Sequence, residues 1–220
     1  MADKKQFVVF GLGRFGSNLA IALADMGYNV LGVDRDENIA SSMANRLTHV
    51  VSFDIRDARA MEQAGIASFD AAIIASGNLE ASLMATMLCK EMNLSEIIVK
   101  AIDERHAEMA RRLGATEVIF SERDTARRVA FRLVSPHMVD YIEIAKDIQI
   151  MGIDMPRRLV GKNLIESELR SLYQLNLIAL IHEGKTIVSP SPNQVFAADD
   201  RMFLIGTPET FARFEREMMD

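Results

Sequence analysis

Between residues 7 and 34 the chain reads FVVFGLGRFGSNLAIALADMGYNVLGVD: an apolar run, a glycine-rich turn, a helical pattern, and a second apolar run closed by an aspartate. Each part of this stretch needs the others. Gly11 permits a tight turn out of the strand, Gly13 lets phosphates approach the backbone, and Gly16 lets the helix pack close to the sheet. Free amides and the helix dipole then favour an anion at the turn. Asp34 closes the second strand about 20 positions on, where a carboxylate accepts hydrogen bonds from ribose hydroxyls and repels a 2′-phosphate. The pattern predicts a nucleotide site and argues against NADP. The competing explanation is a degenerate fold that kept its glycines only for packing.

Further apolar runs follow at THVVSFD (48–54), DAAIIAS (70–76), EIIVKA (96–101) and EVIF (117–120), separated by segments of helical spacing such as Leu19, Leu23, Met26 or Met84, Leu88, Met92. Short, nearly continuous apolar strands alternating with helices imply a parallel sheet covered on both faces. The fold class is α/β, a Rossmann-like doubly wound sheet. After Phe120 the pattern changes. SERDTARRVAFRLV reads as a helix with Ser121 as N-cap and Glu122 in its first turn, stopped by Pro136. Strands near 140–145 and 148–153, a helix near 164–173, a hairpin turning at Glu183-Gly184, a strand at 201–206 and a final helix capped by Thr207 with Pro208 first make a small α+β C-terminal domain. The expected divisions are a nucleotide-binding domain over 1–121, a crossover helix and hinge over 122–139, and a C-terminal domain over 140–220.

Composition narrows the function. A net charge of −6 opposes nonspecific nucleic-acid binding, which needs a basic face. The start, MADKKQ, runs directly into a strand pattern and reads as lacking a signal peptide, and no apolar run approaches the roughly 20 residues that span a bilayer. One cysteine, Cys89, cannot form an intrachain disulfide. The expectation is a cytoplasmic protein.

Arg14 stands out within the glycine loop. A cation in the first turn of a helix opposes the macrodipole, at a cost of roughly 0.3–1 kcal/mol. Bound phosphates would remove that conflict, and more phosphate charge, as in ATP, would remove more of it. Pointing to solvent is the alternative. Ligands of open α/β sheets bind beyond the carboxyl ends of the strands. That rim carries Asp54, Ser76-Gly77-Asn78 and Lys100, with Phe15, Arg35, Ile55 and Ala101 beside the named positions. Asp54 and Asn78 could equally cap the helices that follow.

A dehydrogenase would need an acid/base group beside its cofactor. His49, His106, His137 and His182 have no evident carboxylate partner in sequence, and metal-ligand spacings, a nucleophile elbow and a P-loop are absent. A small NAD-dependent oxidoreductase stays the enzymatic alternative. A redox-sensing DNA-binding regulator would need more than the arginines at 123, 127, 128 and 132.

The chain resembles the RCK (KTN) family, cytosolic regulators of potassium channels and transporters, through QFVVFGLGRFG, VLGVDRDE, THVV, LGATEVIFSERD and the C-terminal LVGKNL…LNLIALIHEGKTIVSPSPNQVFAADDRMFLIG. The likeness spans essentially the whole chain and looks most like the Ktr-type subunits. It implies ATP and ADP as ligands, with NAD(H) an alternative, and a homodimer built through the helix at 122–134 that assembles into an octameric ring beneath a membrane partner. It implies that Arg14 meets the terminal phosphates and Asp34 the ribose, and that Asp54, Ser76, Lys100 and His106 line the nucleotide. It also implies that Glu122 helps hold Mg²⁺ or another divalent cation between paired sites. FDIRD, with Phe53 for a small residue, departs from the frequent GD-x-T form. Some members bind cyclic di-AMP at the C-terminal domain, where Leu164, Ile165, Arg170, Asn176, Pro190 and Pro192 are the matching positions; a packed dimer interface explains these residues equally well.

Overall fold

A computed structural model describes residues 4–134, 138–145 and 147–218. The chain divides into two compact units, Met1–Glu122 and Arg123–Asp220.

The first unit alternates β1 (Gln6–Phe10), α1 (Arg14–Asp25), β2 (Asn29–Asp34), α2 (Glu37–Ser42), β3 (His49–Ser52), α3 (Ala58–Gln63), β4 (Ala71–Ile74), α4 (Leu79–Glu91), β5 (Glu96–Lys100), α5 (Glu104–Leu113) and β6 (Glu117–Ile119). The strands are parallel in the order β3-β2-β1-β4-β5-β6. Successive side chains of a strand point to opposite faces, so the central strands feed two cores. Val8 and Phe10 of β1 join Met61, Ile74 and Ala85 on one side, while Val9 joins Leu12, Ala20 and Ile73 on the other. Burial on both faces explains why these strands read as unbroken apolar runs. The strand order reverses between β1 and β4, and such a switch point leaves a crevice at their carboxyl ends. The apolar stripe of α1 is shorter than its spacing suggests: Met26 lies past the last turn and is 71 % exposed. Cys89 is buried in α4, and burial pushes its thiol up to about 12.

The helix α6 (Ser121–Val134) begins at Ser121 itself, one residue before the expected start. The stop assigned to Pro136, and His137 after it, lie outside the described residues. In the second unit β7 (Met138–Ala145), β8 (Ile148–Asp154), β9 (Asn176–His182), β10 (Lys185–Val188) and β11 (Arg201–Gly206) form an antiparallel sheet ordered β10-β9-β11-β8-β7. Glu183 and Gly184 both take positive φ, 49° and 74°, the twist a two-residue hairpin loop requires. The helix expected near 164–173 is confined to α7 (Leu169–Tyr173). Glu168 sits at φ 49°, a left-handed conformation no right-handed helix can pass through. Asn163 and Glu166 instead exchange side-chain-to-backbone hydrogen bonds, each 2.9 Å. The last helix, α8 (Pro208–Met218), starts at Pro208 as expected, and the Thr210 amide donates to the Thr207 hydroxyl at 3.3 Å.

The core of this unit gathers around Phe214, which is fully buried and meets Tyr173 edge-to-face at 5.2 Å. Truncating it to alanine removes both the transfer energy and the ring contact. Phe214→Ala is expected to cost about 3–5 kcal/mol in urea unfolding; a loss below about 1 kcal/mol contradicts this packing.

Candidate nucleotide site

Four helices of the first unit start on a side chain that caps them. Asp36 accepts from the amides of Asn38 and Ile39, Asp57 from Arg59 and Ala60, Asn78 from Ala81, and Asp103 from His106. The exception is α1. It starts on Gly13 with no side-chain cap and no acidic residue in its first turn, and these are the conditions under which helix amides attract an external anion. Arg14 is exposed, and its guanidinium has no hydrogen-bond or ion-pair partner among the described residues.

The loop feeding this helix end is held tightly. Gly11 takes φ +88°, and a side chain there would come within 3.1 Å of the backbone at Ala75 and Ser76. A Cβ on Gly16 would stand 1.9 Å from the carbonyl oxygen of Gly11. Gly13 differs: a Cβ there would meet nothing within 4 Å, so its bareness opens space toward solvent rather than serving packing. One Asp34 oxygen accepts from the Leu12 amide at 2.7 Å and the other from the Asp36 amide at 2.9 Å. This clamps the loop to the end of β2 and leaves further lone pairs on both oxygens for a ribose diol.

A cavity of about 250 Å³ opens beside the loop, lined by Gly11, Gly13, Asp34, Arg35, Asp54, Ile55, Ser76, Gly77 and Asn78 among the expected positions. Ile39, Arg56, Ala75 and Ala81, outside the expected positions, also line it. Its volume is somewhat under the roughly 300 Å³ lower bound for drug-sized pockets, as suits part of a nucleotide with its phosphates outside.

Arg56 changes the part played by Asp54. Its Nε donates to Asp54 Oδ1 and Oδ2 at 3.0 and 3.2 Å, its Nη2 to Oδ2 at 2.6 Å, and its Nη1 to Glu80 Oε1 at 3.3 Å. The Arg56 hydrogen bond holds the Asp54 carboxyl down to about 2. Asp54 does not cap α3, a task that falls to Asp57, whereas Asn78 does cap α4. The signal for Arg56 was present in FDIRD, where a cation follows an acid by two residues at a strand's carboxyl end.

The other expected residues are placed apart from this cavity. Lys100 donates to Glu122 at 2.6 Å and lies 5.9 Å from the centre of the Phe15 ring. The Lys100 and Ser121 hydrogen bonds hold the Glu122 carboxyl down to about 2. Ala101 is buried. His106 is buried too, its Nδ1 accepting from the Ile102 amide at 3.2 Å and its Nε2 3.1 Å from the Ser82 hydroxyl; burial depresses its pKa. That imidazole braces α5 against α4. Among the described residues no group of three or more His, Cys, Asp or Glu side chains is arranged to hold a metal, and no helix is long and apolar enough to cross a membrane.

In the second unit His182 finds a carboxylate that sequence distance concealed: its Nδ1 lies 2.8 Å from Asp200 Oδ1, and Asp200 is buried. Leu164, Ile165, Arg170 and Asn176 line a separate open cavity of about 480 Å³. Pro190 and Pro192 are outside its lining, although the Pro192 carbonyl accepts from the Ile165 amide at 3.3 Å. Of the arginines on α6, Arg127 pairs with Glu143 at 3.5 Å and Arg123 with Asp124 at 3.7 Å; the Arg132 side chain lies outside the described residues.

Strand order, glycine loop and closing aspartate define a Rossmann-like fold of the nucleotide-binding type joined to a small antiparallel domain. The TrkA-N domain model matches residues 7–121 and the TrkA-C domain model residues 150–219, and the chain belongs to this TrkA-N/TrkA-C family. It is 33% identical to the Ktr system potassium uptake protein C of Bacillus subtilis over 98% of both chains. It is 32% identical to the same organism's Ktr system potassium uptake protein A, over 98% of this chain and 97% of the relative. In structure it resembles the GsuK RCK domain, with a TM-score of 0.55 at 22% identity over 96% of this chain and 46% of that one. It also resembles the Shewanella denitrificans Kef CTD in AMP-bound form, with a TM-score of 0.51 at 25% identity over 59% and 82%.

Two predictions follow from the loop and its rim. Gly16→Ala forces backbone apart and should destabilise the protein by about 2 kcal/mol or more in denaturant unfolding, whereas Gly13→Ala should stay within about 0.5 kcal/mol of wild type; equal effects contradict the division of roles. Asp54 and Glu122 have depressed pKa values, so their stabilisation is present above the ordinary carboxylate range near pH 4 and is lost as pH falls toward about 2. Asp54→Asn should therefore flatten the acid side of the stability profile, most visibly at low salt. An unchanged slope rules out the depressed Asp54.

Proposed function

We propose that this chain is a cytosolic nucleotide-sensing regulatory subunit that gates a membrane potassium channel or transporter, with ATP and ADP favouring different shapes of an oligomeric ring. The observation that carries this reading is the bare N-terminus of α1, uncapped and without acid, with Arg14 beside it unpaired among the described residues. Full-length likeness to the Ktr system potassium uptake proteins supports the membrane partner and a place at the inner face of the membrane. We assign the chain no reaction of its own.

When bound, the nucleotide supplies phosphate charge and a ribose diol. The residues divide the work of reading it. The Gly13 to Gly16 amides and Arg14 bind phosphate, and Arg14 does so more strongly when the terminal phosphate is present. Asp34 keeps the loop in place and accepts from the ribose. Glu122, whose oxygens accept from Lys100 and Ser121, keeps further lone pairs on its exposed side to join a divalent cation shared with phosphates of a neighbouring site. Val129 and Leu133 of α6, 40 and 75 % exposed, supply the apolar contact expected of a dimer helix. Eight such subunits would form the ring.

Moving a gate from mostly shut to mostly open takes about 5.5 kcal/mol of differential binding, which over eight subunits is about 0.7 kcal/mol each. One phosphate contact per subunit suffices.

The test is calorimetric titration of the nucleotide-stripped protein with ATP, ADP and NADH, with and without Mg²⁺. ATP and ADP should bind with different affinities and with metal dependence. Arg14→Ala should weaken ATP by about tenfold or more and ADP by less, since hydrogen bonds to charged groups are worth roughly 1.5–3 kcal/mol. An unchanged ATP/ADP ratio sinks the role of Arg14. Tight NADH with weak ATP binding favours an NAD(H) sensor or a small oxidoreductase.

A further inference from the structure

Arg56 occupies an unusual position for a cavity-lining arginine. Its Nε/Nη2 edge is taken by Asp54 and its Nη1 by Glu80, so three of its five N–H donors are engaged and the guanidinium is pinned between the loop after β3 and the first turn of α4. Pinned at both ends, it holds its plane in a fixed orientation. No aromatic ring of the described residues lies over it. An arginine held in this way interacts with a ligand through its face, by stacking.

The surroundings suit a flat, uncharged group. Ile39, 38 % exposed, together with Ile55 and Ala81, lines the same cavity. Asp54 and Glu80 balance the charges of Arg56 and of Arg35, which also lines the cavity and acts on Asp54, so this end offers no net attraction to phosphate. The opposite end has the uncapped amides of α1 and Arg14, which has no partner among the described residues, with no acid in that turn. The two ends thus differ in electrostatic character, and a nucleotide fits them in one direction.

We propose that Arg56 is the base-specificity residue of this site: its guanidinium plane, fixed by Asp54 and Glu80, stacks on the adenine and favours a purine over a smaller pyrimidine. Asp54 is then a positioning residue that acts through Arg56. This inference rests on reading the cavity as an adenine-nucleotide site.

The test uses the full chain, stripped of nucleotide, with Arg56→Lys, which keeps the charge and removes the plane. Glu80→Gln is the second variant, because it leaves the Asp54 side of the pair intact. Wild type should bind ATP more tightly than UTP. Arg56→Lys should lower ATP and ADP affinity by one common factor of roughly three to ten, and UTP affinity by less, so that the ATP/UTP ratio shrinks while the ATP/ADP ratio holds. Glu80→Gln should move the ATP/UTP ratio in the same direction by a smaller factor. A loop that merely needs bracing would lower all three affinities together and leave the ATP/UTP ratio unchanged, overturning the inference. A change in the ATP/ADP ratio would make Arg56 a phosphate ligand and also overturn it. If wild type binds none of the three nucleotides, the reading of the cavity fails and this inference falls with it.

Discussion

The carboxylate of Asp34 stands between two backbone amides, at 2.7 Å from that of Leu12 and 2.9 Å from that of Asp36. Together with the Gly11 amide, which donates to the Val33 carbonyl at 2.8 Å, this clamp ties the glycine loop to the end of β2. With it, the bare start of α1 and the carboxyl ends of β1, β2, β3 and β4 face one crevice. The close approach of Gly16 to the Gly11 carbonyl serves the same end, drawing α1 onto the sheet so that its first amides point outward. Site and fold share these contacts.

Electrostatic layout follows from which helices are capped. Asp36, Asp57, Asn78 and Asp103 satisfy the amides of α2, α3, α4 and α5 from within the chain. At α1 no side chain caps those amides, and Arg14 adds a cation where the dipole already disfavours one. Such a local conflict, with no internal compensation, is what a binding site is expected to display. At the far end of the cavity Arg56 and Arg35 offset Asp54 and Glu80. A charged end and a neutral, partly apolar end together match a molecule with phosphates on one side and a base on the other.

The sheet and the glycine loop were legible in the sequence because their signals are local: apolar runs for strands buried on both faces, glycines at fixed offsets, and an aspartate at the end of β2. The hairpin at Glu183-Gly184 was legible for the same reason. Side-chain pairings across the fold were not. Arg56 reaches Glu80 across 24 residues, and His182 reaches Asp200 across 18. His106 has the chemistry of a binding residue, yet its place on the inner face of α5 turns it toward Ser82. The helix expected near 164–173 is cut short by one left-handed residue, Glu168, which apolar periodicity cannot reveal. Composition and spacing located the rim of the crevice; which rim residues engage one another depended on the folded geometry.

The most direct measurement is a crystal structure of the nucleotide-stripped chain after soaking with ATP. The account predicts phosphates over Gly13 and beside Arg14, ribose hydroxyls on Asp34, and the base in the cavity lined by Ile39, Ile55 and Arg56. A nucleotide in the reverse direction, or bound only elsewhere, would contradict it.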